Sequence, residues 1–131
     1  MGHCWAAWKL TPGWASSGRD IGWAESITLE LVVLLIVTLK FNNFHVTIQG
    51  DNTSIIGAFN KGRSQNAHQN NSICHITASI IPNNITIFPV YVASTVNRAN
   101  PVSRGILGNT SLCMTLPLAL PLELVPYLKN V

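Results

Sequence analysis

The stretch that decides the fold is Asp20–Phe41, which reads DIGWAESITLELVVLLIVTLKF. It is apolar on nearly all sides, as is typical of a helix that packs on two faces. Asp20 is suited to cap the amino end, so we expect a helix over 23–41, with a strand as the competing assignment because Val and Ile are frequent. The apolar run Ile27–Leu39 contains Glu30 and is shorter than the roughly 20 residues that span a bilayer, so we predict a buried helix and no membrane partner.

Around this helix, the sequence predicts strands that alternate with helices. The expected strands are Trp5–Leu10, His45–Gln49 and Ile85–Val92, the last interrupted by Pro89. The expected helices are Thr53–Asn60 and Ser72–Ile81, with a polar loop over 61–71 between them. Three prolines after Leu116 predict an extended tail with at most a helical turn near Glu123. Alternation of this kind indicates an α/β fold.

The composition favours an intracellular protein of low surface charge. Charged residues make up only 10% of the chain, so we expect poor solubility or a partner. The net charge of +3 would help a polyanion approach, but it is too small to identify a nucleic-acid-binding protein by itself. The three cysteines are widely spaced and odd in number, which predicts neither a disulfide framework nor a zinc site. We therefore expect a cytoplasmic or nuclear location.

Several segments resemble a known family. They are Ile21–Glu25, Gly50–Thr53, Ile56–Ser64, Asn97–Arg104 and Pro126–Leu128. Together they resemble the ribonuclease H-like domain of fungal retroelement reverse-transcriptase polyproteins, and the resemblance covers nearly the whole chain. It implies a ribonuclease H-like domain over 1–108, built as a mixed sheet flanked by helices, and a proline-rich tail over 109–131.

The resemblance also implies which residues correspond to the family's four metal-binding acids. The first acid lies on a first strand at the centre of the sheet, and Trp5–Lys9 resembles the strand after it, so we expect a truncated domain that lacks the first strand. The helix acid corresponds to Glu25, with Glu30 as the alternative. The third acid corresponds to Asp51. The fourth position falls on Asn100, an amide where the family's Asn-x-x-Ala-Asp pattern has a carboxylate.

The number of acidic residues limits the chemistry independently of any family. The chain has five in all: Asp20, Glu25, Glu30, Asp51 and Glu123. Two Mg²⁺ ions roughly 4 Å apart bring four positive charges into one small site, whereas Glu25 and Asp51 supply two negative charges and Asn100 supplies none. We therefore expect at most one weakly held Mg²⁺ or Mn²⁺, with Glu25 and Asp51 as its ligands, and a catalytic set of Glu25, Asp51 and Asn100 that is impaired.

Three hypotheses for the function follow. The first is a degenerate ribonuclease H-like domain that retains weak binding of RNA/DNA hybrids, with phosphate and sugar contacts from Asn52, Asn60, Lys61, Arg63, Arg98 and Arg104. The second is a residual Mg²⁺- or Mn²⁺-dependent endonuclease that cleaves RNA/DNA hybrids. The third is a non-enzymatic interaction protein. Because loss of a central strand exposes ladder edges, we also expect self-association through sheet edges.

Overall fold

The computed structural model of the chain describes residues 6–50, 53–64, 66–93, 95, 113 and 120–130. The described strands are β1 (Trp8–Leu10), β2 (His45–Gly50), β3 (Thr86–Tyr91) and β4 (Leu128–Asn130). The described helices are α1 (Ile21–Thr38), α2 (Thr53–Lys61) and α3 (Ala67–Ile80), with a 3-10 turn over Val125–Tyr127. The predicted mixed α/β class is confirmed.

The central helix α1 begins at the predicted cap and packs on two faces, as expected. The Oδ1 atom of Asp20 accepts a 2.9 Å hydrogen bond from the backbone amide of Trp23. One face of the helix packs against β1, β4 and the segment before β4, through Trp23, Ile27 and Leu31. Another face packs against α3 and the region of β2 and β3, through Leu29 and Val33. The competing assignment of this stretch as a strand is therefore wrong.

A tight reversal joins α1 to β2. Lys40 and Asn43 both adopt left-handed backbone conformations with φ of 62°, which helices commonly need where they end. The amide of Asn43 donates to the carbonyl oxygen of Asn83, so this reversal is attached to the turn that precedes β3. The chain therefore turns back at once, and β2 runs antiparallel to α1 along its length.

Strands β2 and β3 form a parallel pair with His45 opposite Thr86 and Gly50 opposite Tyr91. The side chains of β2 alternate between exposed and half-buried, and Val46 and Ile48 pack towards the core. Pro89 is an internal residue of β3, so the expectation that it interrupts this strand is wrong. Among the described residues β3 pairs with β2 alone, and an edge strand tolerates a proline because one of its sides needs no amide donors.

Helix α3 begins five residues earlier than predicted, at Ala67 rather than Ser72. The side chain of Asn66 caps it by accepting a hydrogen bond of 3.0 Å from the amide of Gln69. The expected polar loop over 61–71 is therefore wrong in its second half. Its polar residues include Gln69, which is buried against α1, so polarity there reflects helix packing and not a solvated loop.

The end of the chain is part of the fold. β4 pairs antiparallel with β1, with Trp8 opposite Asn130, and the amide of Thr11 donates to the carbonyl oxygen of Tyr127 over 2.9 Å. Leu124 is buried beside Trp23 in the core between α1 and this sheet. The expected extended stretch with a helical turn near Glu123 is confirmed for residues 120–130, which we call the C-terminal segment, and this segment packs against α1 and β1.

The described residues form two separate two-stranded sheets, β1–β4 and β2–β3, where the resemblance implies one mixed sheet. The difference arises because β1 is only three residues long and is paired with β4, on the other side of α1 from β2. By length and composition α1 would suffice to cross a membrane. A helix that packs against sheets on two sides has the same composition.

Candidate functional site

The candidate site lies where β2 ends, and α1 determines which side chains lie nearby. The helix runs back along the strand after the tight reversal. From Thr38 to Glu25 the helix rises about 20 Å, and β2 spans about 17 Å from His45 to Gly50. Because the chain reverses between the two elements, these lengths predict that Glu25 lies near the level of Gly50, at the carboxyl end of the parallel pair.

Glu25 lies on the side of α1 that packs over β2 and β3. It precedes Leu29 by four residues, and helix residues four apart share a face. Leu29 is 8% exposed and belongs to the core with Val33 and Ile85. Glu25 itself is half-buried. The side of α1 that covers the parallel pair thus carries a carboxylate near the carboxyl end of the strands, where open α/β sheets commonly bind their ligands.

Five of the predicted site residues lie outside the part of the chain that the structure describes: Asp51, Asn52, Arg98, Asn100 and Arg104. Gly50, the last residue of β2, precedes Asp51 directly in the sequence. The described strand β2 therefore leads directly into Asp51.

Glu30, the alternative to Glu25, has a different environment. It is 1% exposed and lies between α1 and α3, where Nδ1 of His75 is 3.3 Å from its Oε2 atom. Burial raises the pKa of the Glu30 carboxyl, and the Ser72 hydroxyl and the His75 imidazole offset this increase only in part. A carboxylate enclosed in this way is poorly placed to bind a metal ion at the strand end, so Glu25 is the better candidate.

Two other described acids have structural roles in the fold. Asp20 caps α1, and Oε1 of Glu123 lies 2.8 Å from Nε2 of His75. The described residues contain no group of three His, Cys, Asp or Glu side chains that could hold a metal ion. They therefore do not fit a two-metal centre, and Glu25 and Asp51 remain as the candidate acids at the end of β2.

The predicted nucleic-acid contacts that the structure describes are close together in space as well as in sequence. Asn60 and Lys61 end α2, Arg63 follows, and all three are exposed. The next residue, Ser64, is attached to the first turn of α3, because its amide donates to Oδ1 of Asn70 over 3.1 Å. These contacts therefore lie near the amino end of α3.

Hydrogen bonds also place the amino end of α3 beside the amino end of α1. Nε2 of Gln69 donates to the carbonyl oxygen of Gly22 over 3.1 Å, and Nδ2 of Asn66 donates to the carbonyl oxygen of Gly18 over 2.9 Å. Since Glu25 lies one turn beyond Gly22, the two cations of the α2–α3 connection lie at the same end of the fold as Glu25.

A cleft of about 200 Å³ lies beside the C-terminal segment, and no pattern in the sequence predicted it. Its lining residues are Arg19, Trp23, His68, Asn71, Glu123, Leu124 and Tyr127. The Arg19 guanidinium lies 4.4 Å from the centre of the Tyr127 ring.

Trp14 and Trp23 stack on each other at 5.9 Å, within the core of α1 and the β1–β4 sheet. These tryptophans therefore act in packing.

Comparisons of the chain with models of protein families, with curated proteins and with solved structures found no significant match. The functional argument therefore rests on the residues and geometry described above.

Proposed function

We propose that the chain is a degenerate ribonuclease H-like domain that binds RNA/DNA hybrids weakly and does not perform two-metal cleavage. The proposal rests on Glu25, which lies on α1 and which the lengths of α1 and β2 predict to be near the carboxyl end of β2. In the family that the sequence resembles, one acid lies early in the first long helix and another follows the fourth strand. The resemblance matches Glu25 and Asp51 to these positions in the same order, and in the structure a strand parallel to β2 follows after two helices.

The charge balance argues against full nuclease activity. A two-metal centre concentrates four positive charges, and divalent ions of this kind require anionic oxygen ligands to replace their water. Glu25 and Asp51 provide two negative charges, and Asn100 stands where the family pattern has a third. Since Glu30 is buried beside His75, it does not make up the deficit.

The shortage of acidic metal ligands does not prevent weak binding of nucleic acid. Lys and Arg side chains can contact phosphate groups without a metal ion. Lys61 and Arg63 are exposed at the same end of the fold as Glu25. Electrostatic binding without base contacts typically gives dissociation constants of about 10⁻⁴ to 10⁻⁶ M at physiological salt, and we expect the chain to fall in that range.

Salt-dependent binding tests the proposal. Fluorescence anisotropy of a labelled RNA/DNA hybrid, titrated at several NaCl concentrations, should show binding that weakens steeply with salt. The double variant Lys61→Ala/Arg63→Ala should flatten the slope of log K against log salt by up to about 2, since each neutralised phosphate contributes about 0.9. A matched control is Lys9→Ala/Lys129→Ala, which removes two exposed cations from the β1–β4 sheet. The absence of binding at low salt, or an equal effect of both double variants, would contradict the proposal.

A cleavage assay separates the residual endonuclease from the binding domain. The chain is incubated with the hybrid and Mg²⁺ or Mn²⁺, and compared with Asp51→Asn and with Glu123→Gln as a carboxylate control outside the strand end. We expect no metal-dependent cleavage from any of the three. Cleavage that Asp51→Asn abolishes and Glu123→Gln retains would favour the residual endonuclease, whereas neither binding nor cleavage would leave the interaction protein.

A further inference from the structure

One face of the β2–β3 pair carries aromatic and apolar side chains that are open to solvent. Successive side chains of a strand point to opposite faces, so Val46, Ile48 and Ile87 pack on the core while their neighbours point outwards. We call the outward residues the outer face: His45, Thr47, Gln49, Thr86, Phe88 and Val90. Phe88 is 49% exposed and Val90 is 43% exposed. Exposed apolar side chains that cluster in this way mark a binding surface.

The rings on and beside the outer face are arranged in pairs. The rings of His45 and Phe88 lie 5.8 Å apart with 19° between their planes, so they stack across the two strands. Phe44, which directly precedes β2, meets the ring of Phe41 edge to face at 5.1 Å. Phe44 is 48% exposed and Phe41 is 42% exposed. Each ring restrains the orientation of its neighbour, and a large part of each phenylalanine remains open to a flat ligand.

The charge of this surface favours an anionic partner. The segments that form it, 38–50 and 81–93, contain no Asp or Glu, and Lys40 is exposed in the reversal before β2. The next acid along the chain, Asp51, follows the other end of β2. If the same face of a second copy covered the surface, it would bring no carboxylate to pair with Lys40, whereas a phosphate backbone would supply negative charge.

We propose that the outer face binds single-stranded nucleic acid, with bases stacked on Phe88 and Phe44 and a phosphate near Lys40. Every base has a flat π face, so stacking of this kind accepts any sequence. In the strand register Thr47 lies opposite Phe88, and Gln49 lies opposite Val90. Their hydroxyl and amide groups can exchange hydrogen bonds with the edges of the stacked bases.

The outer face and the proposed hybrid-binding residues differ in what they require of a ligand. Lys61 and Arg63 lie on the α2–α3 connection and belong to neither strand. They contact phosphates, which a fully paired duplex offers, whereas the outer face requires bases that are free to leave a stack. Binding of single strands therefore does not rest on binding of hybrids, and each can fail without the other.

Fluorescence anisotropy of a labelled oligothymidylate, measured with the full chain at low salt, tests the inference. Phe88→Ala should weaken binding at least about fivefold, as expected for the loss of one stacked base. Phe88→Tyr keeps the ring and should bind like the parent chain. The matched control is Leu122→Ala, which truncates a 90% exposed apolar side chain in the C-terminal segment and should leave binding unchanged.

A further variant excludes a loss of folding as the cause. Phe88→Leu keeps an apolar side chain in β3 but has no π face, so it should also weaken binding while its circular dichroism spectrum matches that of the parent chain. Absence of oligothymidylate binding at low salt would overturn the inference. So would equal binding by the parent chain and the folded Phe88→Leu variant.

A fully paired RNA/DNA hybrid separates this inference from the proposed function. Phe88→Ala should leave hybrid binding unchanged, and the double variant Lys61→Ala/Arg63→Ala should retain the effect of Phe88→Ala on oligothymidylate. Ring-dependent binding of oligothymidylate without any binding of the hybrid would support the inference and contradict the proposed function. In sedimentation velocity, loss of self-association in Phe88→Ala with unchanged oligothymidylate binding would assign the outer face to a contact between copies and overturn the inference.

Discussion

Replacement of Ile76 by alanine should lower the free energy of unfolding by about 3–4 kcal/mol. Ile76 is 0% exposed and lies in the middle of α3. Its core partners are Leu29, Val33, Ile85 and Ile87. Truncation of a buried isoleucine to alanine costs roughly 2–5 kcal/mol, depending on how far the cavity collapses. The upper half of that range applies because α1, α3 and β3 enclose the site, and each is fixed by its own backbone hydrogen bonds.

Urea denaturation followed by circular dichroism measures this loss, with Ile81→Ala as the control. Ile81 follows α3 directly and is 69% exposed, so its truncation should cost less than about 0.5 kcal/mol. Domains are stable by about 5–15 kcal/mol, so Ile76→Ala should clearly shift the midpoint while the dependence on urea stays the same. A loss within about 1 kcal/mol of the control would refute the packing of α3 against α1 and β3.

Three further predictions concern capping, pH and association. Asp20→Ala removes the acceptor for the Trp23 amide and should cost about 1 kcal/mol, seen as a lower Tm, whereas Asp20→Asn should retain most of the stability. Burial raises the pKa of Glu30, so the folded state favours its protonated form and stability falls as the pH rises through that titration. The Tm of Glu30→Gln relative to the parent chain should therefore increase with pH, and a constant difference would count against this assignment. Because sheet edges are expected to self-associate, sedimentation velocity at micromolar concentration should show species larger than one chain; a monomer at every concentration would count against it.

The sequence predicted α1 and β2 well because each has a strong local signal. Asp20 is a good cap in front of a long apolar run, and the alternation around Val46 and Ile48 is typical of a half-buried strand. These two elements are also the ones that place Glu25 near Gly50. The part of the candidate site that depends on them could therefore be predicted without the structure.

The start of α3 and the pairing of the C-terminal segment with β1 could not be predicted from the sequence, because contacts between elements contribute to both. Asn66 and Gln69 resemble loop residues in the sequence, yet one caps α3 and the other donates to the Gly22 carbonyl on α1. Likewise, the extended backbone of Leu128–Asn130 was expected, but its pairing with β1, which is far away in the sequence, was not. In both places, contacts with residues far away in the sequence add to the local conformational preference.

The cluster of Glu30, His75 and Glu123 was not predicted, because its members are also far apart in the sequence. Glu30 interrupts an apolar run, which was a visible signal of a buried carboxylate in need of a partner. The sequence could not indicate that partner, since His75 and Glu123 come from α3 and the C-terminal segment. A buried acid within a helix thus predicts that polar side chains surround it, but only the three-dimensional structure shows which ones.

Three of the five acids have structural roles in the fold. Fewer carboxylates are therefore available as metal ligands than the number of acids alone implies. Asp20 is committed to capping, and Glu30 and Glu123 are committed to His75. Each performs its structural role by holding a hydrogen bond or an opposite charge, and a metal ion would compete for the same oxygen lone pairs. If a carboxylate stood at position 100, three negative charges would still face the four positive charges of a two-metal centre. Recovery of nuclease chemistry would therefore require a further acid, and Asp20, Glu30 and Glu123 could not supply it without weakening the fold.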